Sequence, residues 1–313
     1  MSEPLVKRWL DAGELDLPLP GSGETAKRWR KLAAFAEIDV VEGRLAEAHA
    51  DATAILAELG APAPRPGELW GVWAAESAEV SLTADEVGGF AELNGTKSWC
   101  SGAGLCTHAL VTAHRPDGGR GLYAVDVRCP QVTALEDSWR NAGMKGADTR
   151  TTEFRGAPAT PIGSSGEYLQ RAGFWYGAIG VAACWLGAAR GVAAALYRAV
   201  GDEHNSAARD SHAQAHLGAI DAALAAADAV LVVAACQVDA GTDCARAELI
   251  ARRARAVVET AVEETIVRTG RALGPAPLVL DAEHARRVAD LTIYVRQSHA
   301  ERDLAALGRL AAR

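Results

Sequence analysis

No run of apolar residues in this sequence reaches the roughly 20 needed to span a bilayer. The longest candidate, Ala222 to Ala235, is short and is interrupted by Asp228. The first ten residues, Met1 to Leu10, lack the apolar stretch and small-residue cleavage site of a secretion signal, so the expected location is cytoplasmic. The six cysteines, at 100, 106, 129, 184, 236 and 244, form no CxxC pair and no disulfide-like spacing, and reduced, buried thiols are expected. No cysteine–histidine cluster has ligand spacing, which argues against a zinc site. Positive charge is also short. The formal net charge is −8, and phosphate binding needs a net or clustered positive surface, which argues against nucleic acid as the main partner. The basic runs Arg252-Arg253-Ala254-Arg255 and Arg286-Arg287 read as solvated helix faces. A dinucleotide fingerprint is missing as well: Gly102-Ala103-Gly104 lacks the third glycine and the helix that should follow.

What is present is ordinary globular composition, 49% hydrophobic and 23% charged over 313 residues, enough for two or three domains. Residues 1–65 read as a helical region. Val41 to Leu59 repeats apolar residues at three and four, and Gly60 followed by Pro62 ends the helix. Ala61 to Pro66 is a proline-rich connector that cannot continue it. From about Trp70 to Pro161 short apolar runs alternate with turn signals at Gly88-Gly89, Asn94-Gly95, Pro116-Asp117-Gly118-Gly119 and Asn141-Ala142-Gly143. Asn94-Gly95 carries the two-residue hairpin signature, and residues 109–113 and 121–127 read as buried strands. A β-domain over 66–163 follows. The remainder, 164–313, reads as an antiparallel four-helix bundle with helices near 167–200, 206–239, 242–271 and 282–310, capped among others by Thr242 and Asp281.

That order of parts is similar to the acyl-CoA dehydrogenase family, and particular segments carry the resemblance. Leu93-Asn94-Gly95-Thr96-Lys97-Ser98-Trp99-Cys100-Ser101 resembles the family's Leu-Asn-Gly-x-Lys-x-Trp-x-(Ser/Thr) signature. Ala142 to Thr149 looks like its Gly-Met-Arg-x-(Ser/Thr)-Asp-Thr segment, and Gly177 to Ala189 is similar to its first bundle helix. The implied fold is α+β, acyl-CoA dehydrogenase-like: a short N-terminal helical region, a central antiparallel β-barrel domain and a C-terminal four-helix bundle. The implied cofactor is FAD, with Trp99 packed beside the flavin and the Ser101 hydroxyl directed at it. Strand alternation is expected to place those two side chains on one face. Trp73-Ala74-Ala75-Glu76-Ser77 resembles the segment along the flavin's other edge, with Glu76 retained, Ala75 in place of a threonine and Ser77 in place of a proline. Trp73 and Ala75 are therefore expected at the cofactor, Ala75 through its backbone. Arg198 and Gln214 stand near the family's cross-subunit cofactor contacts.

The expected reaction is oxidation at Cα–Cβ of an acyl-CoA or carrier-bound acyl thioester, with hydride passing to the flavin, in a homodimer or homotetramer. That chemistry needs a carboxylate to take the Cα proton. Counting from Asp290 in the stretch that resembles the family's Arg-Asp…Tyr-Glu-Gly-Thr places Ser298 at the glutamate and His299 beside it. The alternative position on the first bundle helix, within Arg171 to Gly177, holds no acid. Ser298, His299 and Glu301 are the candidates, against a reading of His299 and Glu301 as part of a solvated helix face. A flavin-dependent monooxygenase of the same fold is the alternative function, and a catalytically degenerate oligomeric flavoprotein or scaffold is the third. The short N-terminal region points to a substrate that is more exposed, larger, or carried on a protein rather than on free CoA.

Overall fold

The computed structural model describes residues 3–76, 81–136 and 138–312. Its helices are α1 (Leu5–Asp11), α2 (Thr25–Ile38), α3 (Val40–Glu58), α4 (Glu167–Gln170), α5 (Ala172–Gly201), α6 (Ser211–Asp239), α7 (Cys244–Leu273), α8 (Ala276–Leu280), α9 (Ala282–Tyr294) and α10 (Glu301–Ala311). The strands are β1 (Trp70–Trp73), β2 (Leu82–Val87), β3 (Phe90–Cys100), β4 (His108–His114), β5 (Arg120–Asp126), β6 (Val132–Ala134) and β7 (Arg150–Ile162). Two compact units result. One comprises residues 1–17, 45–140 and 145–174; the other comprises 18–44, 141–144 and 175–313.

In the first unit, five strands close a ring in the order β4, β2, β3, β7, β5 and back to β4, with β1 added on β4 and β6 on β7. Closure removes the exposed edges that an open sheet would carry. The barrel is mixed rather than wholly antiparallel, because β1 and β2 both run parallel to β4. The apolar run of β4 is buried on both faces. Ala109, Val111 and Ala113 enter the barrel core with Tyr123, Val125 and Phe154, while Leu110 packs with Ile55 and Leu56 of α3 and with Trp70. Asn94-Gly95 does not turn the chain. It lies inside β3, and the two-residue turn is Gly88-Gly89, both at positive φ, between Val87 and its partner Phe90. The register against β7 shifts just before it, between Leu93 and Asn94, where Gly156 of β7 is left over, and at Gly95 a Cβ would stand 2.3 Å from the Ser81 carbonyl.

The second unit contains the four long bundle helices and α2. At Gly187 of α5 a Cβ would lie 1.9 Å from the Ala33 carbonyl, so only glycine permits this approach of α2 to α5. The Asp239 carboxylate at the end of α6 accepts from the Gly23 and Thr25 amides at the start of α2. Asp281 caps α9 as expected, accepting from the Glu283 and His284 amides. Asp243, not Thr242, caps α7; the Thr242 hydroxyl pairs with Tyr176. The fourth bundle helix is not continuous. It is α9, a 3-10 turn at Val295–Gln297, and α10, separated by Ser298 to Ala300, where Ala300 has φ 43°.

Two expectations about apolar content change. Both α5 and α6 are long and apolar enough to cross a membrane by length and composition, with 72% and 33% of their most apolar windows buried. A tally of uninterrupted apolar runs missed them because glycine, alanine and single charges lower no helix average by much. All six cysteines are free, but only Cys100, Cys106 and Cys184 are buried, and Cys236 is exposed.

Candidate functional site

The β-domain signature folds into a bulge. The β3–β7 register shifts between Lys97 and Cys100, and Trp99 takes φ 62°, in the left-handed region that a tryptophan rarely adopts. That conformation turns Cys100 inward, where burial pushes its thiol up to about 12, and leaves Trp99 56% exposed. The Trp99 indole meets Trp139 edge to face at 6.3 Å. Ser101 lies beyond the strand's end, in a turn where its amide donates to the Trp99 carbonyl at 3.0 Å. Simple alternation therefore does not place Trp99 and Ser101; the bulge does.

Ser101 is fixed from two sides. Its carbonyl accepts from the buried Trp73 indole N–H at 2.9 Å, and its hydroxyl pairs with that of Thr149 at 3.0 Å. The pair has two protons and uses one internally, so one O–H remains to donate outward. The loop Gly102–Gly104 is joined to the second signature segment: the Gly102 amide donates to the Ala147 carbonyl, and the Gly104 amide to Asp148 Oδ2 at 2.8 Å. Two motifs distant in sequence thus share one rim of the barrel domain.

A third motif residue joins them. Lys97, almost wholly buried, donates from Nζ to Glu76 Oε1 at 2.8 Å and to the carbonyl and hydroxyl of Thr112. The other Glu76 oxygen faces Arg120 at 3.1 Å and His114 at 3.4 Å. Burial works to raise the Glu76 pKa, but the Lys97 hydrogen bond and charge, with the Arg120 charge, outweigh it and hold the carboxyl below its ordinary value. Glu76 therefore braces the barrel. Ala75 is exposed just past β1, and Ser77 falls outside the described residues.

In the second unit, Arg198 is exposed on the last turn of α5, and Gln214 donates to the Ala208 carbonyl. Asp290, buried on α9, accepts from the Met144 amide at 2.6 Å, and burial raises its pKa. The three base candidates separate. Ser298 is 9% exposed, whereas His299 and Glu301 are exposed, with the His299 amide donating to Asp303. Ser298 has a partner that the sequence did not reveal: its hydroxyl donates to Glu259 Oε2 on α7 at 2.6 Å. Glu259 reads in sequence as one more acid on a bundle helix, 39 residues away from Ser298, and no local pattern ties the two. Near the start of α5, where an acid was sought, the carboxylate is Glu58 of α3, bonded to Arg171 and to the Gly173 amide.

Closed barrel, long bundle helices and a short helical lead-in define the acyl-CoA dehydrogenase-like fold, and comparison with solved structures agrees. Dibenzothiophene monooxygenase TdsC from Paenibacillus sp. A11-2, in a complex with FMN and indole, superposes with a TM-score of 0.79 at 19% identity, covering 91% of this chain and 82% of that one. FkbI, for biosynthesis of the methoxymalonyl extender unit of a polyketide immunosuppressant, gives 0.82 at 16%, covering 100% and 93%. Methanesulfinate monooxygenase MsuC from Pseudomonas fluorescens gives 0.72 at 16%, covering 99% and 97%. A search of curated proteins finds no match. Residues 71–157 match the family model of the acyl-CoA dehydrogenase middle domain, the stretch that holds the Trp99 signature.

Proposed function

We propose that this protein is a flavin-dependent oxidoreductase that oxidises the Cα–Cβ bond of an acyl thioester carried on CoA or on a carrier protein. The observation that carries the reading is the middle domain's rim, where an exposed Trp99 in a strained conformation stands beside the Ser101–Thr149 hydroxyl pair. A planar, electron-accepting ring fits such a rim, with the indole as its packing surface and the spare O–H as its donor. When bound, the flavin supplies a two-electron acceptor for hydride. The chain's own residues orient it: Trp73 holds the Ser101 carbonyl, and Asp148 ties down the loop beside it. FAD is the form that the family resemblance implies, whereas TdsC was solved with FMN. A homodimer or homotetramer is proposed, resting on the exposed apolar side of α6 around Val232 and Val233.

The test begins with colour. Purified protein is expected to be yellow or to take up flavin, whose mass after release distinguishes FAD from FMN. Anaerobic addition of a graded series of acyl-CoA esters is expected to bleach it, and light scattering to show more than a monomer. Protein that takes up no flavin would refute the reading. A second reading, a flavin-dependent monooxygenase, is favoured by Ser298 in the carboxylate's place and by the fold shared with TdsC and MsuC. It predicts a flavin that no acyl-CoA bleaches and that consumes O₂ once reduced.

A further inference from the structure

Trp99 is fixed by its backbone and not by burial. Its φ of 62° is costly for a residue with a Cβ, so the surroundings must impose it. They do so through pairing: β3 meets β7 again at Cys100 opposite Arg150, and the Ser101 amide donates to the Trp99 carbonyl at 3.0 Å. Backbone pairing leaves the χ angles open, and the indole is 56% exposed. A side chain that far into water exchanges rotamers rapidly unless another group holds it. Among the described residues, the aromatic ring in contact with it is Trp139. The centroids lie 6.3 Å apart with the planes at 89°, so the positive edge of one indole meets the negative face of the other. β7 brings the two together. β6 pairs with it as far as Ala134 opposite Thr152, the Leu135 amide donates to the Thr151 carbonyl at 2.9 Å, and the chain then reaches Trp139. Trp139 is half-buried, so its own position is better determined than that of Trp99.

Resting on the flavin reading above, we infer that Trp139 is a positioning residue for the flavin, acting through Trp99 by holding the exposed indole in a single rotamer. It does not itself touch the cofactor. A planar ring that packs on Trp99 can use only the rotamer that presents the indole face. Its apparent affinity falls by the fraction of time the indole spends in any other. Pairing with Trp139 forms the packing surface before the flavin arrives, which removes that cost. The strained backbone then aims the indole, and the second tryptophan keeps it aimed.

Two measurements on the full chain test this. In the first, fluorotryptophan is incorporated and fluorine NMR is recorded without flavin, the Trp99 signal being assigned by its loss in Trp99→Phe. Wild type is expected to show one Trp99 signal, displaced from that of a solvated indole by the ring current of Trp139. Trp139→Ala is expected to move it to the solvated position, with the signals of the other tryptophans unchanged as the check on folding. In the second, FAD and FMN are titrated and Kd is read from calorimetry. Trp139→Ala is expected to weaken binding about 2- to 10-fold, the range an edge-to-face aromatic pair contributes, and Trp139→Phe to restore most of it. Removing both indoles, Trp99→Ala with Trp139→Ala, is expected to cost no more than Trp99→Ala alone, because Trp139 acts only through its partner. An unmoved Trp99 signal, an unchanged Kd in Trp139→Ala, no rescue by phenylalanine, or a further loss in the double variant overturns the inference. Each of these leaves the flavin reading standing. A wild type that binds neither FAD nor FMN overturns both.

Discussion

His49 is a histidine that the fold keeps neutral, and its removal has a calculable signature. The ring sits on α3 and is 4% exposed, with Nδ1 accepting the Trp70 amide at 3.2 Å. Burial lowers its pKa from 6.5 to about 4, although the charges of Asp16 and Glu68 oppose the shift. Protonation would also place a hydrogen on Nδ1, facing the Trp70 N–H. The folded-state pKa lies below the unfolded one, so the unfolded chain takes up the proton first as pH falls. Stability is therefore fully present above about pH 6.5, is lost between there and about pH 4, and changes no further below. A shift from 6.5 to about 4 is 2.5 units, worth about 3 kcal/mol at about 1.4 kcal/mol per unit. His49→Asn keeps an acceptor near the Nδ1 position and removes the titration. Its packing cost is the same at every pH, so the difference in slope isolates the histidine. Urea unfolding followed from about pH 7 to about pH 4 should show the wild type losing about 3 kcal/mol more than the variant over that range. Parallel curves would mean that His49 is protonated in the folded protein or is hydrated, and would refute the argument.

Trp99→Ala should weaken flavin retention by about 1–3 kcal/mol, roughly 5- to 150-fold in Kd, by loss of aromatic packing. Because Trp99 is 56% exposed, the fold should survive, and unchanged far-UV circular dichroism with full flavin retention would show that the ring lies elsewhere. Gly95→Ala should destabilise the β-domain by about 1–3 kcal/mol, because φ is 118° and the Ser81 carbonyl occupies the Cβ position. Its thermal midpoint should fall, whereas Gly60→Ala, at φ 70° with open space around it, should cost less.

The sequence by itself determined the elements and their order. Gly60 and Pro62 ended α3, the Pro116–Gly119 signal fell between β4 and β5, and Asp281 capped α9, because each acts through its own backbone within a few residues. The motif around Trp99 was also legible, and with it the fold. What the sequence left open is what depends on partners far along the chain. Asn94-Gly95 has the chemistry of a hairpin, yet pairing with β2 on one side and β7 on the other keeps it inside a strand. Lys97 is one position of a motif in the sequence, and only the fold brings Glu76 and Thr112 onto it. Cys236 reads as a core thiol, but α6 turns it to solvent. Ser298 reads as a lost acid, and only the packing of the α9–α10 turn on α7 supplies Glu259. Turn and cap propensities are local energies that a short segment carries with it, whereas burial and hydrogen-bond pairing are decided by which distant groups the tertiary fold brings within about 3 Å.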